Sequence, residues 1–227
     1  SQVLHFLDRV RPLKVLVVGD AIIEEYQYCQ AIGKSSKEPT LAVKSLSREK
    51  FLGGILMAAN HLSDFCDHTS LVTLLGSRDS QEEFIREKLS APIHKTFLKR
   101  MDSPTIVKQR FIESYFFSKL FEVYDFDDGP LTPEDNEKMC AVLREKVPQQ
   151  DLVIVVDFGH GAISNEAIEL LCLQSKFLAL NVQCNAGNLG YHTISTYPRA
   201  DYISMTEGEA RLEARDRRGD LRKTVQA

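Results

Sequence analysis

Two apolar runs in this chain each stop at an aspartate. Lys14-Val15-Leu16-Val17-Val18-Gly19-Asp20 is the first, and Leu152-Val153-Ile154-Val155-Val156-Asp157 the second. Continuous apolar runs of this kind read as strands buried on both faces, inside a parallel sheet. The carboxyl ends of such strands border the crevice where open α/β sheets hold ligands, which makes Asp20 and Asp157 candidate ligand-contacting acids. Between them, Phe51-Leu52-Gly53-Gly54 leads into a helix. The glycine pair would let the backbone approach a ligand while the helix start offers unpaired N–H groups to hydroxyl or phosphate oxygens. A tight turn before a helix uses the same letters. Lys108 and Arg110, two apart in Pro104-Thr105-Ile106-Val107-Lys108-Gln109-Arg110, share one strand face, as a cationic clamp on an anionic ligand would require. An exposed strand edge would give that pattern too.

Asp157-Phe158-Gly159 has the letters of the metal-binding triplet of protein kinases. That chemistry also needs a GxGxxG loop, a V-A-I-K strand lysine and an H-R-D-x-x-x-x-N loop upstream, and none is present. Asp157 therefore belongs to a crevice of another kind.

The elements that must position these residues alternate along the chain. Residues 22–46 hold short semi-polar pieces around a turn-rich Gly33 to Pro39, a pattern for a small flap beside the main sheet, and residues 105–126 hold strands that continue it. Ile55, Ala58, Ala59 and Leu62 predict a helix over 54–65, followed by a strand over 69–75. Ser80 with Glu83 fits a capping box, Thr132 with Pro133 an N-cap and first-turn proline, and Ser164 between Ile163 and Ile168 an N-cap with a hydrophobic staple. The second half reads strand 152–156, helix 164–174, strands 177–182 and 201–205, then a charged helix from about 207. Strands alternating with helices give right-handed βαβ units, a parallel sheet and helices on both faces.

At 227 residues, 43% hydrophobic and 26% charged, the chain can bury a sizeable core as a soluble domain. A net charge of −4 with mixed signs argues against a nucleic-acid surface. No apolar segment is long enough to span a membrane, and Ser1-Gln2-Val3-Leu4-His5 lacks the start of a secretory signal, so a cytoplasmic location is the expectation. Cys29, Cys66, Cys140, Cys172 and Cys184 are odd in number and unpaired in spacing, and read as reduced, mostly buried thiols.

The order of these pieces resembles the ribokinase or PfkB-type sugar kinases, and most closely the heptose 7-phosphate kinase half of bifunctional ADP-heptose synthases. The likeness covers about residues 13–212 and is sharpest at Val17-Val18-Gly19-Asp20, Pro104 to Arg110 and the Asp157 turn, where relatives carry Asp-Tyr-x-Lys-Gly. It implies a lead-in helix at 1–12 and a partial ribokinase-like domain over 13–227 with lid strands at about 22–46 and 105–126. It also implies ATP and magnesium as cofactors, a sugar or sugar phosphate as substrate, and a nucleotidyltransferase domain in the parent protein. Asp20 and the Gly53-Gly54 backbone would hold sugar hydroxyls, with Lys108, Arg110 and Asp157 near the substrate. The exposed lid strands add the expectation of a homodimer.

Departures from the pattern bear on activity. Glu24 stands where relatives have aspartate, and Met57 where they have a sugar-contacting Asn, with Asn60 one turn deeper. Thr206-Glu207-Gly208-Glu209 occupies the place of an N-x-x-E motif, so Glu209 is retained as the nucleotide-side acid and the Asn is not. The amide-rich Asn181 to Asn188 stands where relatives have Asp-Pro-Lys-Gly. No G-A-G-D is present, so the resemblance puts the anion hole and catalytic base beyond Ala227. Two readings stay open: the N-terminal part of an ATP-dependent sugar kinase, and a catalytically inactive sugar-kinase-like binding module.

Overall fold

The computed structural model describes residues 2–127, 129–188 and 190–226. In chain order the elements are α1 (Gln2–Val10), β1 (Lys14–Lys34), β2 (Leu41–Gly53), α2 (Gly54–Ser63), β3 (His68–Arg78), α3 (Glu82–Lys88), β4 (His94–Pro104), β5 (Ile106–Glu113) and β6 (Ser118–Asp125). They continue with α4 (Pro133–Lys146), β7 (Leu152–Asp157), α5 (Asn165–Gln174), β8 (Leu178–Val182), β9 (Tyr202–Ile203), α6 (Glu207–Glu213) and α7 (Leu221–Gln226).

The core is a parallel sheet in the order β4-β3-β1-β7-β8-β9. Alternate residues of β1 feed two separate cores. Leu16 and Val18 pack with Met139 and Leu143 of α4 and Leu171 of α5, while Val15 and Val17 pack with Ile55 and Leu56 of α2 and Ile85 of α3. Each of these side chains is essentially inaccessible to solvent, and burying one contributes about 1.5–3 kcal/mol. The expected parallel sheet with helices on both faces is thus observed.

The first strand does not end at Asp20. It continues to Lys34, because Ala21, Ile22 and Ile23 are buried and the backbone there keeps finding partners: Ile22 faces Gly53 of β2 and Ile106 of β5. The lid is therefore a four-stranded sheet, β2-β1-β5-β6, rather than short detached pieces, with the turn-rich segment forming the β1–β2 connection through Ser35 N–H to the Thr40 carbonyl at 2.9 Å. Strand β4 has no counterpart in the sequence reading. It is an edge strand carrying Lys95, Lys99 and Arg100, so it lacks the apolar run that marks inner strands.

The Thr132 and Ser164 caps form, accepting from the N–H groups of Asp135 and Ala167, each at 3.1 Å. The Ser80–Glu83 capping box does not. Helix α3 starts after Gln81, which adopts a left-handed conformation (φ 53°), and Ser80 Oγ meets only the Glu82 N–H at 3.4 Å. The box forms instead at α6, between Thr206 and Glu209. Strand β9 is only two residues long, against an expected five. Four cysteines are buried and Cys184 is half-buried, with every thiol free.

Candidate functional site

Strand order reverses between β1 and β7. The chain adds β3 and β4 on one side of β1 and then crosses to lay β7, β8 and β9 on the other, so the gap between the carboxyl ends of β1 and β7 is the topological switch point. Ligands of open α/β sheets bind at that point. Asp20 and Asp157 stand on its two sides, 1% and 2% exposed.

The two acids are wired together through the turn that follows β7. Asp20 Oδ2 accepts from the Phe158 N–H at 2.8 Å, and Asp157 Oδ1 accepts from the Gly159 N–H at 2.9 Å. Asp157 Oδ2 accepts from the Tyr197 hydroxyl at 2.7 Å and lies 3.0 Å from His192 Nε2. Burial, and then the Asp157 charge, push the Asp20 carboxyl up to about 7, against the pull of the Phe158 and His160 amides and of His192. Burial lowers His192, but the Asp157 hydrogen bond and the charges of Asp157 and Asp20 outweigh it, leaving the imidazole above its ordinary value. Tyr197, deprived of water and facing Asp157, is held well above the ordinary phenol range. His192 and Tyr197 were not legible in the sequence: they come from an irregular stretch with no periodicity to locate it.

A cavity of about 1100 Å³ opens between lid and core, lined by Glu24, Tyr26, Phe51, Met57, Arg110 and Phe158 among others; of the two acids, Asp157 lines instead a separate cavity of about 600 Å³ with His192 and Asn165, and Asp20 a space of about 20 Å³. Gly53 and Gly54 also line it. Gly54 has φ +54°, and a Cβ there would stand 2.4 Å from the Asp20 carbonyl oxygen; at Gly53 a Cβ would stand 2.6 Å from Glu24 Cγ. The pair lets α2 start hard against β1, so close chain approach accounts for both glycines whether or not a ligand is held. Asn60 lines the cavity as well, but its amide is spent tying α2 to the end of α3, donating to the Lys88 carbonyl at 3.1 Å and accepting from the Ser90 N–H at 2.9 Å.

Lys108 and Arg110 share a strand face, as their spacing predicted, but differ in surroundings. Lys108 is buried, its ammonium 5.1 Å from the ring centres of both Tyr124 and Phe158. Burial draws its pKa down, and Asp20 and Glu122 partly restore it. Arg110 reaches the cavity wall between two carboxylates, in ion pairs with Glu24 and with Glu122, the latter at 3.1 Å, and over the Tyr26 ring at 5.6 Å. Burial raises Glu122, but Lys119, Tyr124 and Arg110 overcome it and bring the carboxyl to about 2.

Glu209 lies apart from this group, at a cavity of about 540 Å³ with Asn181, Gln183 and Thr206. Both of its oxygens are engaged. Oε1 accepts from the Cys184 N–H at 3.0 Å, and Oε2 from the Thr206 N–H at 2.8 Å and hydroxyl at 2.9 Å. Among the described residues no Lys or Arg lines this cavity, and no cluster of three or more His, Cys, Asp or Glu could hold a metal ion. The residues present do not fit a magnesium–triphosphate site.

No protein-family model matches the chain. The bifunctional protein HldE of Campylobacter jejuni subsp. doylei is 25% identical over 211 residues, 93% of this chain and 43% of that protein. D-beta-D-heptose 7-phosphate kinase of Bordetella bronchiseptica is 23% identical over 156 residues, 69% of this chain and 49% of the relative. The solved ribokinase of Arabidopsis thaliana, complexed with ribose and ATP, superposes with a TM-score of 0.59 at 13% identity over 95% of this chain and 68% of the ribokinase. The chain has the ribokinase-like fold. It is homologous to proteins named HldE and heptose 7-phosphate kinase, and it spans less than half the length of those two relatives and about two thirds of the ribokinase, a partial form of the fold. Among the described residues no helix is long and apolar enough to cross a membrane.

Proposed function

We propose that this chain is the sugar-binding, N-terminal part of an ATP-dependent carbohydrate kinase that transfers a phosphoryl group to a sugar hydroxyl in its full-length form. The observation that carries the reading is the placement of Asp20 and Asp157 on either side of the topological switch point, next to the Gly53-Gly54 helix start and to Phe158, which both line the lid cavity. In this reading the cavity takes the sugar, and Asp20 and Asp157 hold the turn bearing Phe158 that floors it. ATP and magnesium are the cofactors that kinase homologues imply. Phosphoryl transfer depends on positioning and charge stabilisation, which the described residues around Glu209 do not supply for a triphosphate.

The chain alone therefore releases no ADP from ATP with any member of a panel of sugars and sugar phosphates, whereas a longer parent protein carrying a G-A-G-D segment does. Turnover by the chain alone would put the proton acceptor among its own residues, with Asp157→Asn the first substitution to make. Absence of turnover by the parent would favour the second reading, an inactive binding module, which the engagement of Glu209 by the Cys184 amide and by the α6 cap supports. The parent protein is proposed to be cytoplasmic, to carry a nucleotidyltransferase domain, and to pair with a second copy through the lid. The outer edges of β2 and β6, unpaired among the described residues, and the exposed Leu41, Leu46, Phe121 and Val123 on those strands support the pairing.

A further inference from the structure

Every Lys and Arg lining the lid cavity, among the described residues, already faces a carboxylate of the protein. Lys50 meets Glu25 at 3.2 Å, and Lys88 at the rim meets Glu87 at 2.9 Å. Arg110 is the most strongly held, with Glu24 on one side and Glu122 on the other. Both acids are fixed in turn. Glu24 stands cross-strand from Phe51 in β2 and Lys108 in β5, with its stem pressed against the Cα of Gly53. Glu122 is gripped by Lys119 and the Tyr124 hydroxyl as well as by Arg110.

With its guanidinium already drawn to two carboxylates, Arg110 offers an arriving anion a charge that the protein has itself neutralised. A phosphate arriving at Arg110 would have to displace a carboxylate that is tethered and shielded from water, and would then face that carboxylate as a like charge. Beside Asn60, His61 and Gln183, the lining carries the aromatic and apolar side chains of Tyr26, Phe51, Met57 and Phe158, surfaces suited to the C–H faces of an uncharged ring. Glu24 keeps acceptor capacity for a hydroxyl.

We propose that Glu24 and Glu122 are specificity residues which lock Arg110 away from anions, so that the lid cavity takes an uncharged carbohydrate and rejects its phosphate ester. The ligand class rests on the sugar-kinase reading; the lock itself does not. It is specific to these acids, because removing their charge while keeping their shape frees Arg110.

The test has two arms. Calorimetry with a series of sugars and their phosphate esters should give roughly tenfold or more tighter binding of the unsubstituted sugar by the wild-type chain, a margin that Glu24→Gln/Glu122→Gln reverses. With inorganic phosphate as the probe, the wild-type chain should show no saturable site. The double variant should gain one, and adding Arg110→Ala should abolish it. Should the double variant not fold, Glu24→Gln and Glu122→Gln are compared singly, each expected to gain part of the phosphate binding that Arg110→Ala removes. Tighter binding of the ester by the wild-type chain, or no gain of phosphate binding on releasing Arg110, would overturn the lock. Binding of neither sugar nor ester by the wild-type chain would overturn the sugar reading and the ligand class with it, while the phosphate arm decides the lock independently.

Discussion

Replacing Gly54 by Ala tests whether the floor and the lid are held together where α2 meets β1. Gly54 sits at φ +54°, and a Cβ there would fall 2.4 Å from the Asp20 carbonyl oxygen, with the Ile22 side chain 3.1 Å away. The left-handed conformation alone costs an L-residue about 1–2 kcal/mol. Relieving the overlap costs about 1–3 kcal/mol more, because the neighbour is a backbone oxygen beside the bridge between Ala21 and Gly54 and cannot swing aside. Against this stands about 0.4–1 kcal/mol gained by restricting the unfolded chain. The expected net loss is about 1–4.6 kcal/mol, read as a lower midpoint in urea unfolding at unchanged slope. Gly208→Ala is the control. It lies exposed in the first turn of α6 with only Thr206 Oγ1 near, at 3.9 Å, and should be neutral or stabilising by up to about 1 kcal/mol. A Gly54→Ala loss below about 1 kcal/mol would refute the claim that this approach is tight.

Two further substitutions probe the acids. Asp20 is raised to about 7, so between about pH 4 and that value the folded chain holds a proton that the unfolded chain has released, and stability falls as pH rises through the window. His192, raised by its acidic neighbours, adds a fall of the same sign, since its contribution is lost as pH rises through its folded value. Asp20→Asn should flatten the fall between about pH 4 and 7 and make the protein more stable at pH 8; unfolding midpoints across that range check it, and an unchanged slope would contradict it. Tyr197→Phe should cost about 1.5–3 kcal/mol, because it strips a buried charge-assisted hydrogen bond of 2.7 Å from Asp157, and a midpoint within error of wild type would show the bond to be idle.

What was legible in the sequence was whatever a strong periodic signal carried. The runs before Asp20 and Asp157 have no polar interruption, and both became inner strands. Helices α4 and α5 start at Thr132 and Ser164, where short oxygen-bearing side chains precede apolar repeats. Strand β4 was invisible because an edge strand needs no apolar run. The continuation of β1 past Asp20 was hidden by Glu24 and Glu25, acids that sit in a strand because cations on β2 and β5 face them. His192 and Tyr197 could not be found at all, since a residue placed by tertiary contact from an irregular loop leaves no local pattern.

Letters at motif positions were a weaker guide to role than the neighbours that engage them. Glu209 matched the retained acid of a nucleotide motif, yet its oxygens are spent on three donors of the chain. Arg110 matched a cationic clamp, yet two acids claim it. Asp20 matched a crevice acid and is buried at the switch point, and its position in the chain gives it a second consequence. The last core pair of β1 is Asp20 with Leu74, while Ile22 already pairs with Gly53 and Ile106 in the lid. Only Ala21 separates the two sheets, and it is bridged to Gly54. The lid therefore cannot tilt relative to the core without bending β1 next to Asp20, and any ligand that draws the lid down must load the same backbone that Gly54 presses against. Gly54→Ala should for that reason weaken ligand binding in step with stability.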